Sequence, residues 1–295
     1  MDYNNCVKIF YTQENILPDF NYADYGIGYD YIDFGERYIR YPIFLIEERY
    51  GNAWNLMKKK HLLENEEDYI KRDFCSFVVS NGMADPFRGM VFDELCKYKM
   101  VSSGGKYKNN IGLPGGVSNK IEFTKRHKFS LCFENTSHPG YVTEKIVEAF
   151  AGQTIPIYWG DPLVTKLFNP KAFINVSEYD SIDDLVRTIQ RVDNNNEEYL
   201  AMLKEPALCV GMENYWEENQ NEFKKFLYAI FDQEKEASIK RNMFFWGNEY
   251  HRRYYEMRNL FLKRKYSLKM RVKRKCKAIN YQIKIRGSLK DIFSH

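Results

Sequence analysis

Residues 128–162 read KFSLCFENTSHPGYVTEKIVEAFAGQTIPIYWGDP, and they decide the fold. KFSLCFEN (128–135) is an apolar run of strand length. A Pro139-Gly140 turn follows. Val142, Ile146, Ala149 and Phe150 then fall on one helical face. TIPIYWG (154–160) is a second apolar run entering a turn. Strand, turn, helix and strand in this order predict an α/β unit with parallel strands.

The alternation extends in both directions. VKIFYT (7–12) reads as a strand, and FCSFVVSN (74–81) as a buried parallel strand. PFRGMVFDELCKY (86–98) has helical spacing, and KMVSSGG (99–105) is strand-like with a Gly-rich end. AFINVSEY (172–179) and a helix from Ser181 to about Val192 complete the pattern. The polar, Lys/Glu-rich residues 54–72 read as an exposed helical connection. Ligands in such sheets bind at the carboxyl ends of strands, here Asn81, Ser102–Gly105, Glu134-Asn135 and Trp159–Asp161.

The helix after Gly140 is expected to start near Tyr141, with its free N–H groups forming an anion site. Gly140 would let the backbone approach the anion. Lys145 supplies a point charge suited to phosphate, and Glu144 a carboxylate suited to ribose hydroxyls. Phosphate plus ribose indicates a nucleotide, although the spacing equally fits an ordinary helix start with solvated charges. No P-loop, G-x-G-x-x-G or D-x-D pattern is present. The expected diphosphate neutralisation is therefore by Lys145 and by Lys106 or Lys108, with no metal and no other cofactor.

The 128–162 stretch closely resembles the donor-binding motif of α-1,3-fucosyltransferases. It matches F-E-N, then G-Y-V-T-E-K-I, then P-I-Y-W-G, and the likeness extends to residues 9–42 and to SFVVSN (76–81). The resemblance implies an inverting enzyme with two Rossmann-like domains in the GT-B arrangement, the N-terminal one shortened here. Lys145 would hold the diphosphate of GDP-fucose and Glu144 the ribose. Asn135 and Tyr141 would line the nucleotide-sugar pocket, and Lys108 would stand where the family has a phosphate-binding arginine. Glu14, in YTQEN, matches the general base. Its own context places it at a strand's carboxyl end facing the cleft, and without the resemblance a solvated loop carboxylate is the preferred reading.

The expected domains are 1–70 (partial acceptor side and connection), 71–235 (donor binding), 236–256 (helical connection) and 257–295 (basic tail). From Met257 onward there are 13 Lys/Arg against one acid, whereas residues 1–256 carry 31 bases against 39 acids. Leu268, Val272, Cys276, Ile279 and Ile283 form a narrow helical stripe. Such a helix adsorbs to anionic membrane surfaces. A flexible solvated tail fits the same composition, and nothing supports nucleic acid. Six scattered cysteines, without metal-ligand spacing, indicate free thiols in a reducing compartment. The expected location is the cytoplasmic face of a membrane. The implied reaction is fucosyl transfer from GDP-fucose to an N-acetylglucosamine-containing or lipid-linked glycan. The alternative is an inactive homologue that binds nucleotide or glycan only.

Overall fold

The computed structural model describes residues 6–58, 65–241 and 247–266. They form two compact units. One contains residues 9–18 and 25–238, and the other residues 6–8, 19–24, 239–241 and 247–266.

The larger unit holds two all-parallel sheets, as the sequence predicts. In the first, β1 (Ile9–Tyr11), β2 (Tyr25–Gly28) and β3 (Tyr38–Arg40) lie side by side in chain order. After β3 come α1 (Glu47–Lys58) and α2 (Glu66–Ile70). The segment 54–72 is not wholly the exposed connection expected. Trp54 and Met57 are buried, because α1 packs against a helix of the second sheet.

The second sheet alternates strand and helix. Its elements are β4 (Asp73–Phe77), α3 (Phe87–Tyr98), β5 (Val101–Ser103), α4 (Lys120–Thr124), β6 (His127–Phe133), α5 (Glu144–Ala151), β7 (Ile155–Trp159) and β8 (Ile174–Asn175). The helices α6 (Ile182–Asn194), α7 (Asn196–Lys204), α8 (Tyr215–Phe231) and α9 (Lys235–Ser238) follow. Strand order is β5-β4-β6-β7-β8. All seven residues of β6 are buried. Phe129, Leu131 and Phe133 pack in one core with β4, α3 and α6, while Cys132 faces the other core with α1 and α5. Burial on both faces is why these strands read as continuous apolar runs.

The chain moves from β4 outward to β5 and back past β4 to β6. The strand order therefore reverses between β4 and β6. In an open α/β sheet the crevice outside the carboxyl ends of such a pair is the place for a ligand.

In the smaller unit, Asp24 is buried and accepts the backbone N–H groups of Lys8 (2.7 Å), Lys240 (2.7 Å) and Arg241 (2.8 Å). It also pairs with the Arg241 guanidinium. Helix α10 (Gly247–Tyr266) sets Tyr254 4.8 Å from Tyr22. The apolar stripe 268–283 lies outside the described residues.

Candidate functional site

The loop after β1 carries Glu14. The Glu14 N–H donates to Thr12 Oγ1 (3.1 Å), and Asn15 Nδ2 donates to Thr136 Oγ1 (3.1 Å). These bonds lay the loop on the segment following β6. There Asn135 Nδ2 donates to Glu14 Oε2 at 3.0 Å, and the Tyr141 hydroxyl lies 3.5 Å from the same oxygen. Tyr141 is itself buried and packs edge-on against Tyr29, with ring centroids 4.9 Å apart. Burial raises the Tyr141 phenol well above its usual value, with the Glu134 charge adding to the effect. It is therefore a neutral hydrogen-bond donor.

Arg88, in the first turn of α3, is the cation of this crevice. It is buried, with Nη1 donating to Asn135 Oδ1 (3.2 Å) and Nη2 to the Asn81 carbonyl. Burial lowers its pKa, yet a guanidinium remains charged at any ordinary pH. Asn81 follows β4 and Asn135 follows β6, so Arg88 bridges the two strand ends between which the order reverses.

Lys145 sits deeper. Its Nζ donates to Glu134 Oε2 (2.8 Å) and Thr143 Oγ1 (2.8 Å) and lies 3.8 Å from Glu144. Glu134 is fully buried and accepts both the N–H (2.8 Å) and the hydroxyl of Thr143. Burial raises the Glu134 carboxyl despite the Lys145 charge. For Lys145, burial works downward, but Glu134 and Glu144 outweigh it and hold the ammonium well above its usual value. Glu144 is desolvated too, yet Lys145 and Lys120 keep it below the usual carboxylate value. Lys120 pairs with Glu148 at 2.6 Å. The charges on α5 thus alternate, which lets each persist in a half-buried place.

Two expectations about this turn are corrected. The helix begins at Glu144, not near Tyr141, and the Thr143 N–H serves the chain's own Glu134. Gly140 has φ +91°, and a Cβ there would stand 2.2 Å from the Tyr29 carbonyl oxygen. The tight backbone is required by the end of β2, and no anion need be invoked for it.

Glu14, Asn135 and Tyr141 are brought together, with Glu144 and Lys145 on the same strand-to-helix turn. Lys108 is placed differently. Its Nζ lies 2.6 Å from Asp93 on α3, a pair whose acid is largely exposed. Arg88 went unread because its segment has the spacing of an ordinary amphipathic helix. Its signal was its place in the first turn beyond Asn81. Among the described residues no group of three or more His, Cys, Asp or Glu side chains is arranged to hold a metal. A cavity of about 290 Å³ between α1, α5 and the end of α7 lies away from these residues and is mainly apolar.

The sequence profile described as "Glycosyltransferase family 10 (fucosyltransferase) C-term" matches residues 69–243, more than half of the chain. The chain belongs to glycosyltransferase family 10. A profile described as "Alpha-(1,3)-fucosyltransferase FucT N-terminal domain" matches residues 1–47. Among family 10 relatives, the Alpha-(1,3)-fucosyltransferase FucT of Helicobacter pylori is 38% identical over 255 residues, 77% of this chain and 52% of that protein. A human 3-galactosyl-N-acetylglucosaminide 4-alpha-L-fucosyltransferase is 31% identical over 140 residues, 45% of this chain and 37% of that protein. The chain thus spans about half the length, or less, of these relatives. A crystal structure of an alpha1,3-fucosyltransferase with GDP-fucose superposes with TM-score 0.65 and 34% identity, covering 77% of this chain and 76% of that one. The two parallel sheets accordingly match the GT-B fold of this family.

Proposed function

We propose that this family 10 chain moves L-fucose from GDP-fucose to a hydroxyl of an N-acetylglucosamine-containing glycan, in the α-1,3 manner and with inversion. The observation that carries the reading is the meeting of Glu14 with Asn135 and Tyr141. A carboxylate from one sheet stands at the nucleotide-type crevice of the other. Inverting transfer needs one base to take the acceptor proton while the nucleoside diphosphate leaves from the opposite face. In this reading Glu14 takes the first task, Lys145 and Arg88 balance the diphosphate, and Glu144, held ionised, accepts from ribose hydroxyls. Lys108 adds charge at longer range. Protein cations make a divalent metal unnecessary in this scheme. Crystal structures of an alpha1,3-fucosyltransferase similar to this chain contain GDP-fucose or GDP, which supports the same donor here.

The acceptor is proposed to be surface-polysaccharide or lipid-linked, met at the cytoplasmic face of a membrane to which the basic tail adsorbs. The deciding experiment is incubation with GDP-fucose and N-acetyllactosamine, with product read by mass spectrometry. A fucosylated trisaccharide is expected. GDP binding without product would replace this reading with that of a nucleotide-binding homologue.

A further inference from the structure

Six exposed large apolar residues gather at the ends of two neighbouring strands. Tyr11, Ile16 and Leu17 lie at the end of β1 and in its loop, and Tyr31, Ile32 and Phe34 in the loop after β2. The strands are parallel, with Tyr11 opposite Ile27, so both loops leave the same edge of the sheet. Among the described residues between 35 and 241, no other two exposed large apolar residues lie within two positions of each other. A gathered apolar patch rimmed by polar groups marks a binding groove. Glu14 stands within this one.

Tyr31 also lines a cavity of about 210 Å³. Buried Val142, Val164 and Phe168 form its floor, and half-exposed Tyr31 and exposed Lys166 its mouth. The Tyr31 ring is held in place by Arg40, whose guanidinium carbon is 4.3 Å from the ring centroid. Arg40 is fixed in turn by the carbonyls of Tyr29 (2.8 Å) and Gly140 (3.0 Å) and by the Tyr215 hydroxyl (3.0 Å). Gly140 directly precedes Tyr141, whose hydroxyl faces Glu14. Val142, in the cavity floor, directly follows that same Tyr141 in sequence. Lys166 Nζ lies 5.1 Å from the Tyr31 centroid, and no carboxylate among the described residues pairs with it.

We propose that Tyr31 and this cavity form an acceptor subsite for the sugar next to the one whose hydroxyl Glu14 deprotonates. The proposal rests on the function given above. The reacting sugar must lie within hydrogen-bond reach of Glu14, so its neighbour is the moiety that arrives at Tyr31. A cavity below the roughly 300 Å³ of a drug-sized cleft takes one such unit. The tyrosine ring offers an apolar surface to the C–H face of a pyranose, while Lys166 and the Tyr215 hydroxyl offer polar contacts to its substituents. The subsite thus favours a disaccharide over a monosaccharide.

The test compares kcat/KM for N-acetyllactosamine and for N-acetylglucosamine at saturating GDP-fucose. In Tyr31→Ala the disaccharide-to-monosaccharide ratio is expected to fall about tenfold, at the low end of what losing an apolar contact does to discrimination. Tyr31→Phe, which keeps the ring, should retain the wild-type ratio. Structural damage alone would lower both rates and leave the ratio, so an unchanged ratio overturns the proposal. If the wild-type chain transfers to neither acceptor, the proposed function fails, and saturation-transfer NMR on N-acetyllactosamine with GDP-loaded protein decides the subsite. Signal lost in Tyr31→Ala supports it. Signal retained in that variant, or absent from wild type, overturns it.

Discussion

Glu14 and Asn135, 121 residues apart in sequence, share a hydrogen bond of 3.0 Å between the loop ends of two different sheets. The carboxylate is thereby aimed before any ligand is present. In Glu14→Gln the acceptor oxygen for Asn135 remains and the base is lost. GDP affinity should stay within twofold of wild type, while transfer falls by roughly 10²–10⁴. Calorimetric GDP titration and initial rates check both. Wild-type rates would reject Glu14 as the base.

Lys145→Ala should weaken GDP binding by about 1.5–3 kcal/mol, the worth of one charge-assisted contact. It should also destabilise the fold, because Glu134 is left charged and buried, an arrangement that costs about 3–5 kcal/mol. A Glu134→Gln/Lys145→Gln double variant should recover the stability and not the affinity. Thermal melts beside GDP titrations separate the two effects. EDTA should leave GDP affinity unchanged.

Arg88 and Lys108 can be ranked by the same titration. Arg88→Ala should cost on the order of 1.5–3 kcal/mol in GDP affinity, since a buried guanidinium in the crevice is lost. Lys108→Ala should cost less than about 1 kcal/mol, because its ammonium already serves an exposed aspartate. The reverse order would put the phosphates beyond β5.

His127, at the start of β6, is buried with no partner for Nε2 among the described residues. Burial pushes its imidazole below the ordinary 6.5, against the Phe123 carbonyl that accepts from Nδ1. The folded state then binds the proton less readily than the unfolded state. Its contribution is present above 6.5 and is lost as pH falls toward the lowered value, by up to about 1.4 kcal/mol per pH unit. Urea midpoints should therefore drop more between pH 7.5 and 5.5 in wild type than in His127→Gln. Equal drops would exclude His127 as the source.

Removing residues 257–295 should abolish sedimentation with phosphatidylglycerol vesicles and leave GDP affinity unchanged. Each basic residue near the surface is worth about 1 kcal/mol before losses, and binding should weaken as salt shortens the screening length. Equal sedimentation of both forms would remove the tail as an anchor.

The sequence displayed the second sheet well because its strands are buried on both faces, as the unbroken run from His127 to Phe133 shows. It displayed the first sheet poorly. β2 is only YGIG, and at Gly28 a Cβ would meet the Tyr38 hydroxyl at 3.0 Å. Glycine there leaves room for a neighbour's ring, a reason invisible to periodicity. Asn135 was legible as a strand-end polar residue and Glu14 as a carboxylate after a strand, but their roles, and that of Tyr141, came from the resemblance to α-1,3-fucosyltransferases. The partnership of Glu134 with Lys145 was not, because a carboxylate ending an apolar run gives no sign of which way it turns. Arg88 was hidden by the helix that carries it.

The sequence separation of the site's contacts also bears on the order in which it assembles. The Glu134–Lys145 bond spans 11 residues, whereas Glu14–Asn135 spans 121 and Arg40–Tyr215 spans 175. Loop closure for the long contacts is entropically costlier and slower. As the chain leaves the ribosome, Glu14 emerges first and must wait for the β6 segment, and Arg40 for α8. A nascent chain ending near residue 165 would hold its nucleotide-side turn complete while the clasp on Tyr29 and Gly140 still lacked its Tyr215 contact. On the function proposed above, the donor side of the crevice closes over the shorter loop and the acceptor edge over the longer ones.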